Sequence, residues 1–285
     1  MSKDPRSGAA PKSMRLAKYL AGCGVGSRRH CEDFIREGQV TVNERTVDDP
    51  ATNVDPEVDE VAYKGRPVRP RRSVYLALHK PRGYVSTQSD PHAERVISEL
   101  FPRQFGRLFT IGRLDRDSEG LILVTNDGEF AQRLQHPRYG VLKRYRVTVA
   151  GKPPPDVLKR MEEGFEHGGE FLKAESARWA HNRKGRTLLI TLREGRNREI
   201  RRLCSALGMT VQRLTRQAVG PVLLRGIRPG KWRHLTEEEL DRLRSPQARL
   251  AGQRPRPPLR GRGTRGNGSL AGRRRRSRGS SGSDG

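Results

Sequence analysis

The chain is poor in several things that would tie it to a membrane or an oxidising compartment. Only three cysteines occur, Cys23, Cys31 and Cys204, an odd number without ligand-like pairing. A disulfide scaffold and a zinc knuckle are thereby disfavoured, and a reducing cytoplasm fits. No run of 18 apolar residues exists, which excludes a membrane-spanning helix. Met1 to Ser13 is polar and is not expected to be a secretory signal. His79, His136, His167 and His181 are scattered without ligand spacing, so no metal is expected. Aromatics make up 5% and apolar residues 33% of 285 residues, against about 45–50% apolar in ordinary globular chains. A sizeable core then requires the polar excess to be concentrated in part of the chain. Acidic residues are also short, 32 against 58 Lys and Arg, a net charge of +26. Charge on this scale speaks about partners rather than fold, and nucleic acid is the first candidate.

The charge is unevenly placed. Residues 251–285 hold ten Arg, nine Gly and one Asp, a net of +9. Such a composition cannot bury enough surface to offset ordering entropy, so residues 246–285 are expected to form a disordered basic tail. Residues 1–13 are expected to be a short disordered leader. Residues 14–68 carry a net of −2 and residues 69–250 a net of +17. The Pro- and Arg-rich stretch up to Ser73 reads as a linker, residues 69–73, that lets the flanking parts move. It divides a first module, 14–68, from a second, 74–245.

In the first module, Leu16 and Leu20 lie four apart on a short amphipathic helix that Gly22, Gly24 and Gly26 should break. Ser27 is placed to cap a second helix with Cys31, Phe34 and Ile35 inside. Gly38 should stop that helix. Val40–Val42 and Thr46–Val47 flank an Asn43-Glu44 turn, a hairpin signal. This order, with Arg15, Lys18, Arg28 and Arg29, resembles the αL RNA-binding module of ribosomal protein S4. The resemblance implies that these four cations track RNA phosphates. Arg28 and Arg29 would otherwise sit unfavourably at the positive end of a helix dipole.

In the second module, Val74–Leu78 reads as a strand, followed by His79-Lys80-Pro81-Arg82-Gly83-Tyr84. Leu108–Ile111 is another strand. Leu121–Thr125 is an apolar run typical of a buried strand, and Asp127 is placed to cap a helix that Pro137 ends. Asp115 therefore falls on a loop between strands, flanked by Arg113 and Arg116. The whole segment, GRLDRDSEGLILVTNDG from Gly112 to Gly128, resembles the active-site signature of the RsuA/RluB family of ribosomal RNA pseudouridine synthases. KRYRV (Lys143–Val147), EGRNREIRR (Glu194–Arg202), Leu214-Thr215-Arg216 with Gly220-Pro221, and PGKWRHLT (Pro229–Thr236) follow in the family's order. Ser118, Glu199 and the additional Arg116 are mild departures. The implied fold is α+β: a small S4-like module, then a catalytic domain with a mixed, largely antiparallel sheet crossed by a cleft. The long basic tail and YLALHKPRGYVST (Tyr75–Thr87) resemble the large-subunit (23S) members.

The resemblance also implies residue roles. Asp115 is the catalytic carboxylate, acting on the sugar as nucleophile or base. Arg201 is the partner that keeps it charged and oriented. Tyr145 stacks on the target base. Arg113 fills the space of the flipped nucleotide or holds a flanking phosphate, and Lys143, Arg144, Arg196 and Arg198 contact phosphates. Ribosomal RNA is the expected partner of a monomer, with no cofactor. No dinucleotide Gly fingerprint or P-loop argues for another catalytic domain behind the S4-like module. Glycoside hydrolysis lacks a second carboxylate opposite Asp115. The rival class is a catalytically silent RNA-binding assembly factor on the same fold. Such a protein would have no need to keep Asp115, Tyr145 and Arg201 together.

Overall fold

A computed structural model describes residues 13–87, 94–180 and 186–245. The expected tail, 246–285, and the expected leader, Ser13 excepted, lie outside the described residues. The first module holds β1 (Met14–Arg15), α1 (Leu16–Cys23), α2 (Arg28–Arg36), β2 (Val40–Val42), β3 (Arg45–Val47), β4 (Asn53–Val54), β5 (Val61–Tyr63) and β6 (Arg66–Pro67). Gly24, not Gly22, ends α1: it sits at φ 83° and its N–H donates back into the last turn, the left-handed close that glycine permits at no steric cost. Gly22 belongs to the helix, so the expected break comes one residue pair later. The Ser27 hydroxyl accepts the His30 N–H at 3.1 Å and starts α2. Asn43 and Glu44 both take positive φ, the type I′ turn that matches strand twist. Leu16, Leu20, Cys31, Ile35, Val40 and Val54 form the core of this module.

The expected linker has no regular structure but is tied at both ends. The Arg71 N–H donates to the Gly22 carbonyl at 3.2 Å. Asn126 holds the other end, accepting from the Val74 N–H at 2.7 Å and donating to the Arg72 carbonyl at 2.9 Å.

The second module is built on β7 (Tyr75–Lys80), β8 (Phe109–Ile111), β9 (Glu119–Thr125), α3 (Gly128–Gln135), β10 (Lys143–Gly151), α4 (Val157–Glu163), β11 (Phe165–His167), β12 (Glu170–Leu172), β13 (Ser176–Trp179), β14 (Thr187–Leu192), α5 (Glu199–Ala206), β15 (Met209–Val219), β16 (Val222–Leu223), β17 (Trp232–His234) and α6 (Glu237–Arg244). One nine-stranded sheet runs β13-β14-β10-β15-β9-β7-β17, with β16 on β15 and β8 on β9. Every strand pairing in it is antiparallel except that of β15 with β9. Helices cover both faces. Ile200, Leu203 and Cys204 of α5 and Met161 of α4 pack on one side against Leu76, Leu78, Ile122 and Val147. Phe130 and Leu134 of α3 and Leu240 of α6 pack on the other against Ala77, Leu121 and Leu123. The alternation along β7 and β9 divides their residues between these two cores.

The parallel pairing is only two residues long, Thr215 with Glu119 and Arg216 with Gly120. Farther along the same edge of β9, Leu123–Thr125 pair with β8 instead. The sheet therefore splits beside Leu121 and Ile122. The loop from Gly112 to Ser118 leaves β8 and enters β9 at that split.

Candidate active site

Asp115 stands on this loop, with its side chain 36% exposed. The loop is held by its backbone rather than by secondary structure. Ser86 Oγ donates to the Leu114 carbonyl at 2.8 Å and accepts the Leu114 N–H at 3.1 Å. The Gly83 N–H donates to the Arg116 carbonyl at 2.7 Å, and the Ser118 N–H to the Asp115 carbonyl at 3.0 Å. Arg116 itself is exposed and turns to Glu94 at 3.4 Å.

Arg201 of α5 reaches the loop from above, and its side chain is 16% exposed. Its Nε lies 4.0 Å from Asp115 Oδ2, but its Nη2 lies 2.7 Å from Asp117 Oδ2. The expected Asp115 partner is thus shared, and the tighter contact belongs to Asp117. The second carboxylate missing from the sequence reading is on the same loop. One guanidinium between two carboxylates fixes their spacing and offsets their repulsion. Asp117 lay unnoticed because RDS reads as a turn; the signal was its two-residue spacing from Asp115.

Beside the loop runs a row of cross-strand neighbours: Lys80, Gly120, Arg216 and Tyr145. The strand expected to end at Leu78 continues through Lys80. Polar His79-Lys80 hid the alternation that places Lys80 on the same face as Leu76 and Leu78. The residue is fully buried. Its ammonium donates to the Ser118 carbonyl at 2.7 Å and the Pro81 carbonyl at 3.1 Å. Burial pushes its pKa down to about 8, an effect that Asp115 and Asp117 oppose. Tyr145 is 6% exposed and packs in the α5-side core. It lies opposite Arg216 in the pairing of β10 with β15.

The remaining expected residues are less concentrated. Arg113 is exposed on the loop, and its carbonyl accepts from Arg216 Nη1 at 3.3 Å. Lys143 is half-buried, and its ammonium donates to the carbonyls of Val141 at 3.2 Å and Arg193 at 3.3 Å. Burial pushes its pKa down to about 8, and the nearby Arg216 adds to the effect. Those bonds tie Lys143 to backbone. Arg196 is also engaged: Nε donates to Glu194 at 2.9 Å, Nη1 to the Phe171 carbonyl at 3.2 Å, and Glu170 lies 3.9 Å away. A phosphate would have to compete with these acids. Glu199 is buried; its carboxylate accepts the Arg196 N–H at 2.9 Å, and burial pushes its pKa up. Cys204 is buried on the inner side of α5, and burial pushes its thiol up to about 12, so it is packing rather than chemistry.

In the first module, Arg28 and Arg29 are exposed in the first turn of α2. Arg15 instead donates to the Ala51 carbonyl, and Lys18 pairs with Glu129 at the start of α3. Only two of the four expected cations are thus turned to water without such a contact. Among the described residues no group of three or more His, Cys, Asp or Glu could hold a metal. Among them, too, no helix is long and apolar enough to cross a membrane.

Residues 74–206 match the RNA pseudouridylate synthase family and residues 14–60 match the S4 domain. An uncharacterized RNA pseudouridine synthase of Aquifex aeolicus (strain VF5) is 42% identical over 232 residues, which cover 81% of this chain and 93% of that one. The ribosomal large subunit pseudouridine synthase B of Bacillus subtilis (strain 168) is 39% identical over 234 residues, covering 81% of this chain and 96% of that one. A crystal structure of a pseudouridylate synthase superposes with a TM-score of 0.58 at 28% identity, covering 81% of this chain and 99% of that one.

Proposed function

The chain belongs to the RNA pseudouridine synthase family, and from that premise we propose that it converts one uridine of large-subunit ribosomal RNA to pseudouridine, with Asp115 as the reacting carboxylate. The observation that carries the reading is the placement of Asp115: a partly exposed carboxylate on a backbone-held loop, where the sheet splits, within reach of the Arg201 guanidinium. The large-subunit choice follows the name of the Bacillus subtilis relative, at 39% identity.

The reaction breaks the C1′–N1 bond, turns the base, and joins C1′ to C5. The hydrogen on C5 leaves as a proton, and N1 gains one, so no oxidant or reductant is consumed. The uridine first leaves its stack, at a cost of a few kcal/mol. Asp115 then acts at the sugar, as nucleophile at C1′ or as base at C2′. Arg201 orients the carboxylate. Tyr145 stacks on the base while it turns. Arg113, exposed beside Asp115, meets the vacated stack or the flanking phosphate. Arg28 and Arg29 hold RNA at a distance from the chemistry. The protein works as a cytoplasmic monomer.

The test is tritium release from ribosomal RNA labelled with 5-³H-uridine. Wild type should release tritium, and Asp115→Asn and Asp115→Ala should release none while still binding the RNA. Full activity in either variant would overturn the reading. Carbodiimide mapping of rRNA from a deletion strain would identify the uridine and the subunit.

A further inference from the structure

We infer that Arg216 is a positioning residue for Asp115: its buried guanidinium stands in for the strand missing at the split in the sheet and fastens the start of the reactive loop to β9. The inference rests on the reading of Asp115 as the reacting group.

Arg216 is 3% exposed, although its neighbours on the same face of β15 are Leu214 and Ala218. Burying a guanidinium is costly unless its donors are satisfied. Two of its nitrogens are directed at backbone, while Nη2 is buried without a partner among the described residues. Nε donates to the Leu121 carbonyl at 2.6 Å, and Nη1 to the Arg113 carbonyl at 3.3 Å. Leu121 follows directly on the two-residue pairing of β15 with β9 and precedes the stretch held by β8. On its other side, Leu121 lies opposite His79, whose N–H goes to the Lys231 carbonyl instead. The Leu121 carbonyl therefore faces the split, where no strand answers it. An unpaired buried carbonyl would be expensive, and the Arg216 side chain supplies the donor.

The same guanidinium reaches across the split to the residue two before Asp115. The backbone of Arg216 lies directly against Gly120 of β9. A Cβ at Gly120 would lie 2.4 Å from the Arg216 carbonyl oxygen and 2.6 Å from its nitrogen, and Gly120 sits at φ +110°. Only glycine fits there, in both space and backbone conformation. Lys80 takes the far end of the loop through the Ser118 carbonyl. The loop from Arg113 to Ser118 is thus held at both ends by buried cations, and Asp115 lies between the two attachments. Arg216 is near enough to Lys80 and Lys143 to repel both. That unfavourable crowding is tolerated where it builds the site.

The test uses the full chain with Arg216→Lys and Arg216→Met. Lysine keeps the charge but cannot bridge two carbonyls; methionine keeps the bulk without the charge. Single-turnover rate at saturating enzyme, RNA Kd and amide hydrogen exchange are measured for each. The rate should fall about a hundredfold in both variants, the size expected from a displacement near 1 Å, with Kd within about twofold. Exchange should quicken about tenfold in the peptide spanning Gly112–Ser118 and stay unchanged in β10 and β14. An unchanged loop with full rate would overturn the inference. So would exchange that rises equally throughout the sheet, which marks a purely structural role. If the methionine variant does not fold, the lysine variant decides alone. Wild type that releases no tritium would refute the proposed reaction, whereas the exchange pattern would still decide whether Arg216 holds the loop.

Discussion

The arginines beside the Asp115 loop and those of the first module carry the same charge but meet different surroundings. Arg201 and Arg216 are largely removed from water and engage two carboxylates and two backbone carbonyls. Arg28 and Arg29 stand exposed in the first turn of α2. A buried guanidinium is worth keeping only where its geometry is used, because desolvation is otherwise uncompensated. An exposed one is cheap, screened by salt and ready for a phosphate. Under the proposed function, the buried arginines shape the site and the first-module arginines recruit RNA to it. Variants in the two regions should therefore fail in different ways.

The largest separation is expected at Asp115, where Asp115→Asn should abolish tritium release and leave RNA affinity intact. Next comes Arg201→Met, which leaves Asp115 and Asp117 to repel each other without the shared cation. Its single-turnover rate should fall about a hundredfold with RNA Kd changed by less than about threefold. A loss confined to Kd would break the comparison, because Arg201 would then be recruiting rather than shaping.

The opposite signature is expected from Arg28→Ala combined with Arg29→Ala. RNA Kd should weaken about tenfold and the slope of log affinity against log salt should shrink by up to about two, while the saturated rate holds. Filter binding across a salt series, paired with single-turnover assays, measures both. A fall in the saturated rate would show that the first module also shapes the site.

The smallest effect sharpens the electrostatic side. Lys80 titrates near 8 in the folded chain because burial disfavours its charge, against 10.5 as its ordinary value. Between those values the unfolded chain binds more protons than the folded one. The contribution of Lys80 to stability should therefore rise as pH increases from about 8 to about 10.5. Urea denaturation of wild type and Lys80→Met at about pH 7.5 and about pH 9.5 would measure it as the difference between the two proteins. A difference that stays flat or falls would mean that Lys80 is not desolvated, and that the row beside the loop is wetter than its packing suggests.

The same contrast separates what could be read early from what could not. The caps and turns of the first module were legible at Ser27, Gly38 and Asn43-Glu44, because each acts within a few residues of itself. Asp127 was legible for the same reason: its carboxylate accepts the Glu129 and Phe130 N–H groups, both at 3.0 Å. Asp115 and Arg201 came from an extended signature, and the fold brings them within 4.0 Å. Lys80 and Asp117 were missed. A polar residue ending a strand looks like the beginning of a turn, and burial of its ammonium depends on the carbonyls of Pro81 and Ser118. Gly120 inside an apolar strand was a visible hint of close backbone approach, but nothing nearby names Arg216 as the backbone that approaches.

The sequence by itself determined the charge that points to RNA and the local caps and turns, while Asp115 was singled out by resemblance to a family signature. Composition and short-range pattern survive any arrangement of distant strands. Tertiary structure alone decided which cations are spent on carbonyls, which carboxylates share Arg201, and which arginines remain in water. Those outcomes depend on burial, and burial arises only when β9, β15 and α5, far apart in the chain, close around one loop.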